Sequence, residues 1–116
     1  MYKISDFWYI DPCYTGGNIY IYTGQMKDGT YFLADDCNYF VDFIDVNPDD
    51  YDEDGLIPVE VVEEHRVGYI DDDEERFNFF KVVYEWVIRY QPHTEQCNYN
   101  VGDMEDRLEY LSENFY

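Results

Sequence analysis

The sequence predicts an α+β domain: an antiparallel β-meander of about four to six strands, then two C-terminal helices packed on one face. Three observations carry this. The first half alternates β-branched and aromatic runs with turn residues, and the last third has apolar residues at helical spacing. Moreover, 21% of the 116 residues are Phe, Trp or Tyr, although the chain carries 7 Lys and Arg against 27 Asp and Glu, a net charge of −20. Acidic chains that stay unfolded are poor in aromatics, so the aromatics argue for a packed core that offsets the self-repulsion.

The first strand is expected over residues 2–10, rich in aromatics and closed by Asp11-Pro12. Tyr14, Thr15, Gly16 and Gly17 make a turn, and residues 18–23 form an almost continuously apolar run suited to a central strand. Lys27-Asp28-Gly29 is a hairpin signal, with Asp-Gly supplying positive φ. A third strand follows over 30–34, a turn at Asp35, Asp36, Cys37 and Asn38, and a fourth strand over 39–46. In that strand Phe40, Asp42, Ile44 and Val46 share one face, while Tyr39, Val41, Phe43 and Asp45 share the other. Residues 47–55 form a loop by composition. Residues 59–63 and 66–70 read as two short strands around Glu64-His65.

Helix signals begin at Asp72, where Asp72-x-x-Glu75 is a capping pattern that places acids at the positive end of the dipole. From Arg76 to Tyr90 apolar residues cover most of the circumference, which predicts a helix buried on more than one side. Arg89 and Pro92 close it. Asp103 caps a second expected helix running to about Asn114, with Met104, Leu108, Leu111 and Phe115 as its stripe.

Several classes are disfavoured. The three cysteines, Cys13, Cys37 and Cys97, are scattered and odd in number, which suits a reducing compartment rather than a disulfide framework. The first residues lack an apolar run of signal-peptide type, and no stretch approaches ~18 apolar residues, so a cytoplasmic protein without a membrane partner is expected. The sign of the charge disfavours direct binding to nucleic acid or anionic lipid. Neither His65 nor His93 has a nucleophile placed near it by sequence, and Cys97 has no basic neighbour to lower its pKa, so no catalytic residue is assigned and an enzyme is not expected. Asp50, Asp52 and Asp54 followed by Gly55 match the start of a calcium loop. The position that needs a bidentate Glu holds Val61, however, and the preceding segment reads as a strand, so no metal ligand and no cofactor is assigned. A calcium- or partner-binding module remains one alternative.

The acids are clustered. Residues 35–75 hold 17 of the 27, opposed only by Arg66. Charge runs commonly serve as solvated faces, and solubility is one explanation. A net −20 nevertheless exceeds the magnitude of about 2–8 that keeps small domains soluble. The other explanation is that the acids imitate a phosphate backbone. Acids at i and i+2 on a strand lie about 6.6 Å apart and helical i, i+4 neighbours about 6 Å, comparable with phosphates that rise about 3.4 Å per nucleotide while winding round their axis. Arg forks accept carboxylate as they accept phosphate. The expected footprint is Asp35, Asp36, Asp42, Asp45, Asp49, Asp50, Asp52, Glu53, Asp54, Glu60, Glu63, Glu64, Asp71, Asp72 and Asp73, with Tyr39 and Tyr51 as candidate aromatic anchors.

In composition and layout the whole chain resembles the phage-encoded DNA mimics that block restriction enzymes and CRISPR effector nucleases. That resemblance carries no motif and transfers no residue. It implies an inhibitor (anti-CRISPR or anti-restriction) in the host-cell cytoplasm, whose partner is a basic nucleic-acid-binding protein such as a CRISPR effector nuclease or a restriction enzyme. An immunity-type protein that neutralises a basic toxin nuclease is the alternative with the same charge logic.

Overall fold

A computed structural model of the chain describes residues 1–11, 21–35, 39–51 and 58–90, together with Asp106 and Glu109. Among the described residues, five strands form one sheet: β1 (Phe7–Asp11), β2 (Ile21–Met26), β3 (Tyr31–Asp35), β4 (Phe40–Ile44) and β5 (Arg66–Tyr69). Their spatial order is their sequence order, and every neighbouring pair is antiparallel. Helix α1 (Val59–His65) lies between β4 and β5, and helix α2 (Asp73–Tyr90) follows β5. This is the expected α+β meander.

The β2–β3 hairpin turns where Asp-Gly predicts it. Gly29 sits at φ 97°, Met26 and Thr30 close the turn by a 2.8 Å backbone bond, and Asp28 Oδ1 accepts from the Thr30 N–H at 2.9 Å. β1 starts later than the sequence suggests. Asp6 Oδ2 accepts the Lys3 N–H at 2.9 Å and the Asp6 N–H bonds the Lys3 carbonyl, so Ile4–Asp6 winds into a 3₁₀ turn first.

One sheet face is built from Phe7, Ile10, Tyr22, Phe32, Ala34 and Val41, and it packs on Phe79, Phe80, Val83, Tyr84 and Val87 of α2. Phe79 is the hub. Its ring meets Tyr2, Phe32 and Phe7 edge-on at 5.0, 5.1 and 5.4 Å, geometry that favours aromatic pairs beyond the area they bury. A register row runs Ile10, Gly24, Phe32, Phe43, Gly68 across all five strands. Gly24 is required there, because a Cβ would lie 2.3 Å from the Tyr9 carbonyl oxygen and 2.8 Å from the Phe32 ring.

The next row runs Thr23, Leu33, Asp42, Tyr69 and faces the other way. Thr23, Leu33 and Asp42 are nonetheless buried, as are Ile44 and, where α1 meets β4, Val62. The central strands are therefore covered on both faces, consistent with their nearly continuous apolar runs.

Residues 59–63 are helical rather than extended, which corrects the sequence expectation. Pro58 fixes φ at −59° at the helix entry, and its carbonyl accepts from Val61 and Val62. Three valines favour a strand locally, but only Val62 finds burial, and Glu60, Glu63 and Glu64 prefer helix. α2 starts as predicted: the Asp72 carboxylate accepts the Glu75 N–H at 2.9 Å. Of the second expected C-terminal helix, Asp106 and Glu109 are helical and exposed, and its other residues lie outside the described ones, as does the turn at 14–17.

Candidate functional site

α1 is a single amphipathic turn-pair. Val62 enters the protein, and Glu60, Glu63 and Glu64 at i, i+3 and i+4 stand on the exposed side. Its C-terminal residue ties this acidic side to the end of β4 and to the 3₁₀ turn Pro48–Tyr51. The His65 Nδ1 lies 2.9 Å from Asp45 Oδ1, its carbonyl accepts the Asp45 N–H at 3.1 Å, and its ring is 6.0 Å from that of Tyr51. Exposed Asp45, Asp50 and Tyr51 thus border the three glutamates. Beyond β5, Asp71 is also exposed.

Not every predicted member belongs to this surface. Asp35 and Asp42 are 4% and 8% exposed and point into the protein from central strands, so neither can present charge to a partner. Arg66 forks onto Asp42, Nε to Oδ1 at 3.2 Å and Nη2 to Oδ2 at 3.4 Å. Burial pushes the Asp42 carboxyl above its ordinary range, and the guanidinium draws it only partly back. Asp72 and Asp73 are exposed but committed, Asp72 to the cap and Asp73 to an ion pair with Arg76 one turn on. Asp36, Asp52, Glu53 and Asp54 lie outside the described residues, as does the side chain of Asp49. The calcium-loop pattern falls largely on the same stretch. Among the described residues no three His, Cys, Asp or Glu side chains converge on a metal position.

Tyr39 is not an exposed anchor. It occupies φ 61° and is held there by stacking on Phe80 at 5.3 Å and leaning on Phe77 at 5.0 Å, while the Arg76 guanidinium lies 5.4 Å over its ring. A bulky residue in the left-handed region costs roughly 1–2 kcal/mol, and the aromatic packing offsets it. Tyr51, by contrast, is 40% exposed.

The structure adds three residues that the sequence did not single out. Val59, Val67 and Tyr69 are exposed apolar side chains, the first on α1 and the others on β5, the edge strand that follows it. Like Tyr51, they are exposed apolar side chains on segments that also carry exposed acids, the residue types that anchor and rim protein interfaces. Only the edge position of β5 leaves Val67 and Tyr69 uncovered, and edge position is not written in a four-residue run. Among the described residues, no helix is long and apolar enough to cross a membrane. Comparisons of the chain with family models, with curated proteins and with solved structures return no match.

Proposed function

We propose that this protein is a binding inhibitor whose acidic surface imitates nucleic acid and occupies the basic groove of a nuclease or effector complex, in the manner of an anti-CRISPR or anti-restriction protein of the host-cell cytoplasm. The observation that carries this is the exposed acid face of α1, Glu60, Glu63 and Glu64, continued by Asp45 and Asp50 and accompanied by the exposed Tyr51 and Val59. None of these three glutamates has an ion pair among the described residues, so their full charge is available to guanidinium or ammonium groups. A surface of one sign steers a basic partner into encounter, and the apolar side chains then supply contact that persists at close range. The mechanism is occlusion: the groove that accepts a phosphate backbone is filled.

The test is association kinetics with whatever nuclease co-purifies from cells that carry CRISPR or restriction effectors. Replacing Glu60, Glu63 and Glu64 together by Gln should slow association about tenfold or more at low salt and leave dissociation nearly unchanged. Affinity should fall steeply as salt rises. An affinity that is flat with salt, or an on-rate indifferent to the triple change, would remove the mimicry and leave the apolar surface as the interface.

A further inference from the structure

The charge of this molecule is not of one sign everywhere. A groove of about 920 Å³ runs between α2, the segment 2–8 and the β2–β3 turn. Its walls bring together Lys3, Lys27, Lys81 and Arg89, four of the chain's seven Lys and Arg residues, with Glu85 as the only acid among the described lining residues. The described lining residues therefore carry 4 − 1 = +3, against −20 − 3 = −23 on the rest of the chain. With acids outnumbering bases by 27 to 7, neutralisation of nearly every cation is the expected outcome. Among the described residues, Lys3, Lys27 and Arg89 nevertheless have no ion pair.

The same walls carry aromatic faces. Trp8 is 68% exposed and Tyr90 55%, and the Tyr90 ring leans on buried Trp86 at 5.0 Å. Tryptophan is on average one of the more buried residues, so an open Trp needs a reason. The local cause is a register shift in β1 between Phe7 and Tyr9, which turns Trp8 out of the sheet, as bulges re-aim side chains elsewhere. On the opposite wall Asn78, Lys81, Glu85 and Arg89 recur at three- and four-residue spacing along one face of α2.

The walls are fixed to each other. Asn78 Oδ1 accepts the Tyr2 N–H at 2.7 Å while its amide reaches the Tyr2 carbonyl at 3.4 Å, and the Tyr2 hydroxyl donates to Glu75 at 3.1 Å. The Lys27 N–H bonds the Asp6 carbonyl at 2.9 Å, tying the turn to the same segment. The groove is thus held open by these bonds, a pre-formed site of the size that takes small ligands.

We propose that this groove binds a nucleoside polyphosphate, its base stacked on Trp8 and Tyr90 and its phosphates on Lys3, Lys27, Lys81 and Arg89. Four convergent cations suit a ligand with several charges on one short chain, and exposed indole and phenol faces suit a base. A small ligand is favoured over a long polyanion. Beyond a Debye length of about 8 Å the −23 on the remaining chain is screened, whereas a strand extending across the surface would run along it. The site is independent of the acidic surface around α1.

Trp8 and Trp86 are the chain's two tryptophans and both line the groove, so their indole N–H resonances report on it directly. Titration of the full chain with ATP should shift both signals at micromolar concentration, with adenosine and tripolyphosphate each at least tenfold weaker. Replacing Lys81 and Arg89 together by Gln should weaken ATP at least tenfold. Trp8→Ala should weaken it about 5- to 150-fold, the range that loss of one stacking contact gives, with the circular dichroism unchanged because the side chain is exposed. No indole shift with ATP, or tripolyphosphate binding as tightly as ATP, would overturn the proposal. Tighter binding of an acidic Glu/Tyr peptide or of an oligothymidylate would also overturn it and give the groove a different occupant.

Discussion

Asp42 holds two opposing forces at one atom pair. It sits on a central strand opposite Tyr69, is 8% exposed, and receives the Arg66 fork. Taking a carboxylate out of water is the larger effect, so its pKa stands above the ordinary value in spite of the guanidinium, itself 39% exposed. The sign follows directly. A carboxyl whose folded pKa exceeds its unfolded one binds its proton more tightly when folded, so its stabilising contribution is complete at low pH and is lost as pH rises through the folded value. Asp42→Asn should therefore be more stable than the parent at neutral pH, and the advantage should shrink as pH falls through the raised pKa. Denaturant midpoints of the two proteins across that range measure it. A variant less stable at neutral pH would mean that the Arg66 pair outweighs desolvation.

At the scale of elements, local chemistry was legible wherever one short segment determined the outcome. Asp28-Gly29 made its turn and Asp72 made its cap, because each needs only neighbours in sequence. The five-strand meander followed, since hairpin-connected strands fall beside each other. What could not be read depended on partners far along the chain. The valines of 59–62 read as a strand until Val62 found its place by β4, and Asp35 and Asp42 read as surface because the sequence does not reveal that both faces of the sheet are covered. The cationic groove is the extreme case: Lys3, Lys27, Lys81 and Arg89 are scattered through 87 residues and meet only when α2 crosses the sheet. The cap itself is testable. Asp72→Ala should cost about 1 kcal/mol, and Asp72→Asn only a few tenths, because the amide oxygen still accepts from Glu75 while the charge at the dipole is lost. Equal losses for the two would assign the effect to charge rather than to the hydrogen bond.

For the whole molecule, the net −20 acts on folding and on binding with opposite dependence on salt. The folded state crowds exposed acids such as Glu60, Glu63, Glu64, Asp71 and Glu74, whereas the unfolded chain spreads the same charges apart, so repulsion works against the fold. Among the described residues, the Arg66–Asp42 and Arg76–Asp73 ion pairs leave most of the excess charge unrelieved. Screening shortens from about 10 Å at 0.1 M salt to about 3 Å at 1 M, below the 5–6 Å spacing of i, i+3 and i+4 acids. Sodium chloride should therefore raise the melting temperature steadily, by about 4 °C for each kcal/mol of repulsion relieved. Chloride is the salt to use, since sulfate also strengthens apolar burial and would mimic the result. The Glu60, Glu63 and Glu64 to Gln variant should start from a higher melting temperature at low salt and gain less on salt addition. A basic partner should release over the same range, because the ions that relieve the fold also shield the surface the partner recognises. A melting temperature flat in chloride would mean that the exposed acids are already neutralised by bound cations. Steering by free charge would then fail for the same reason.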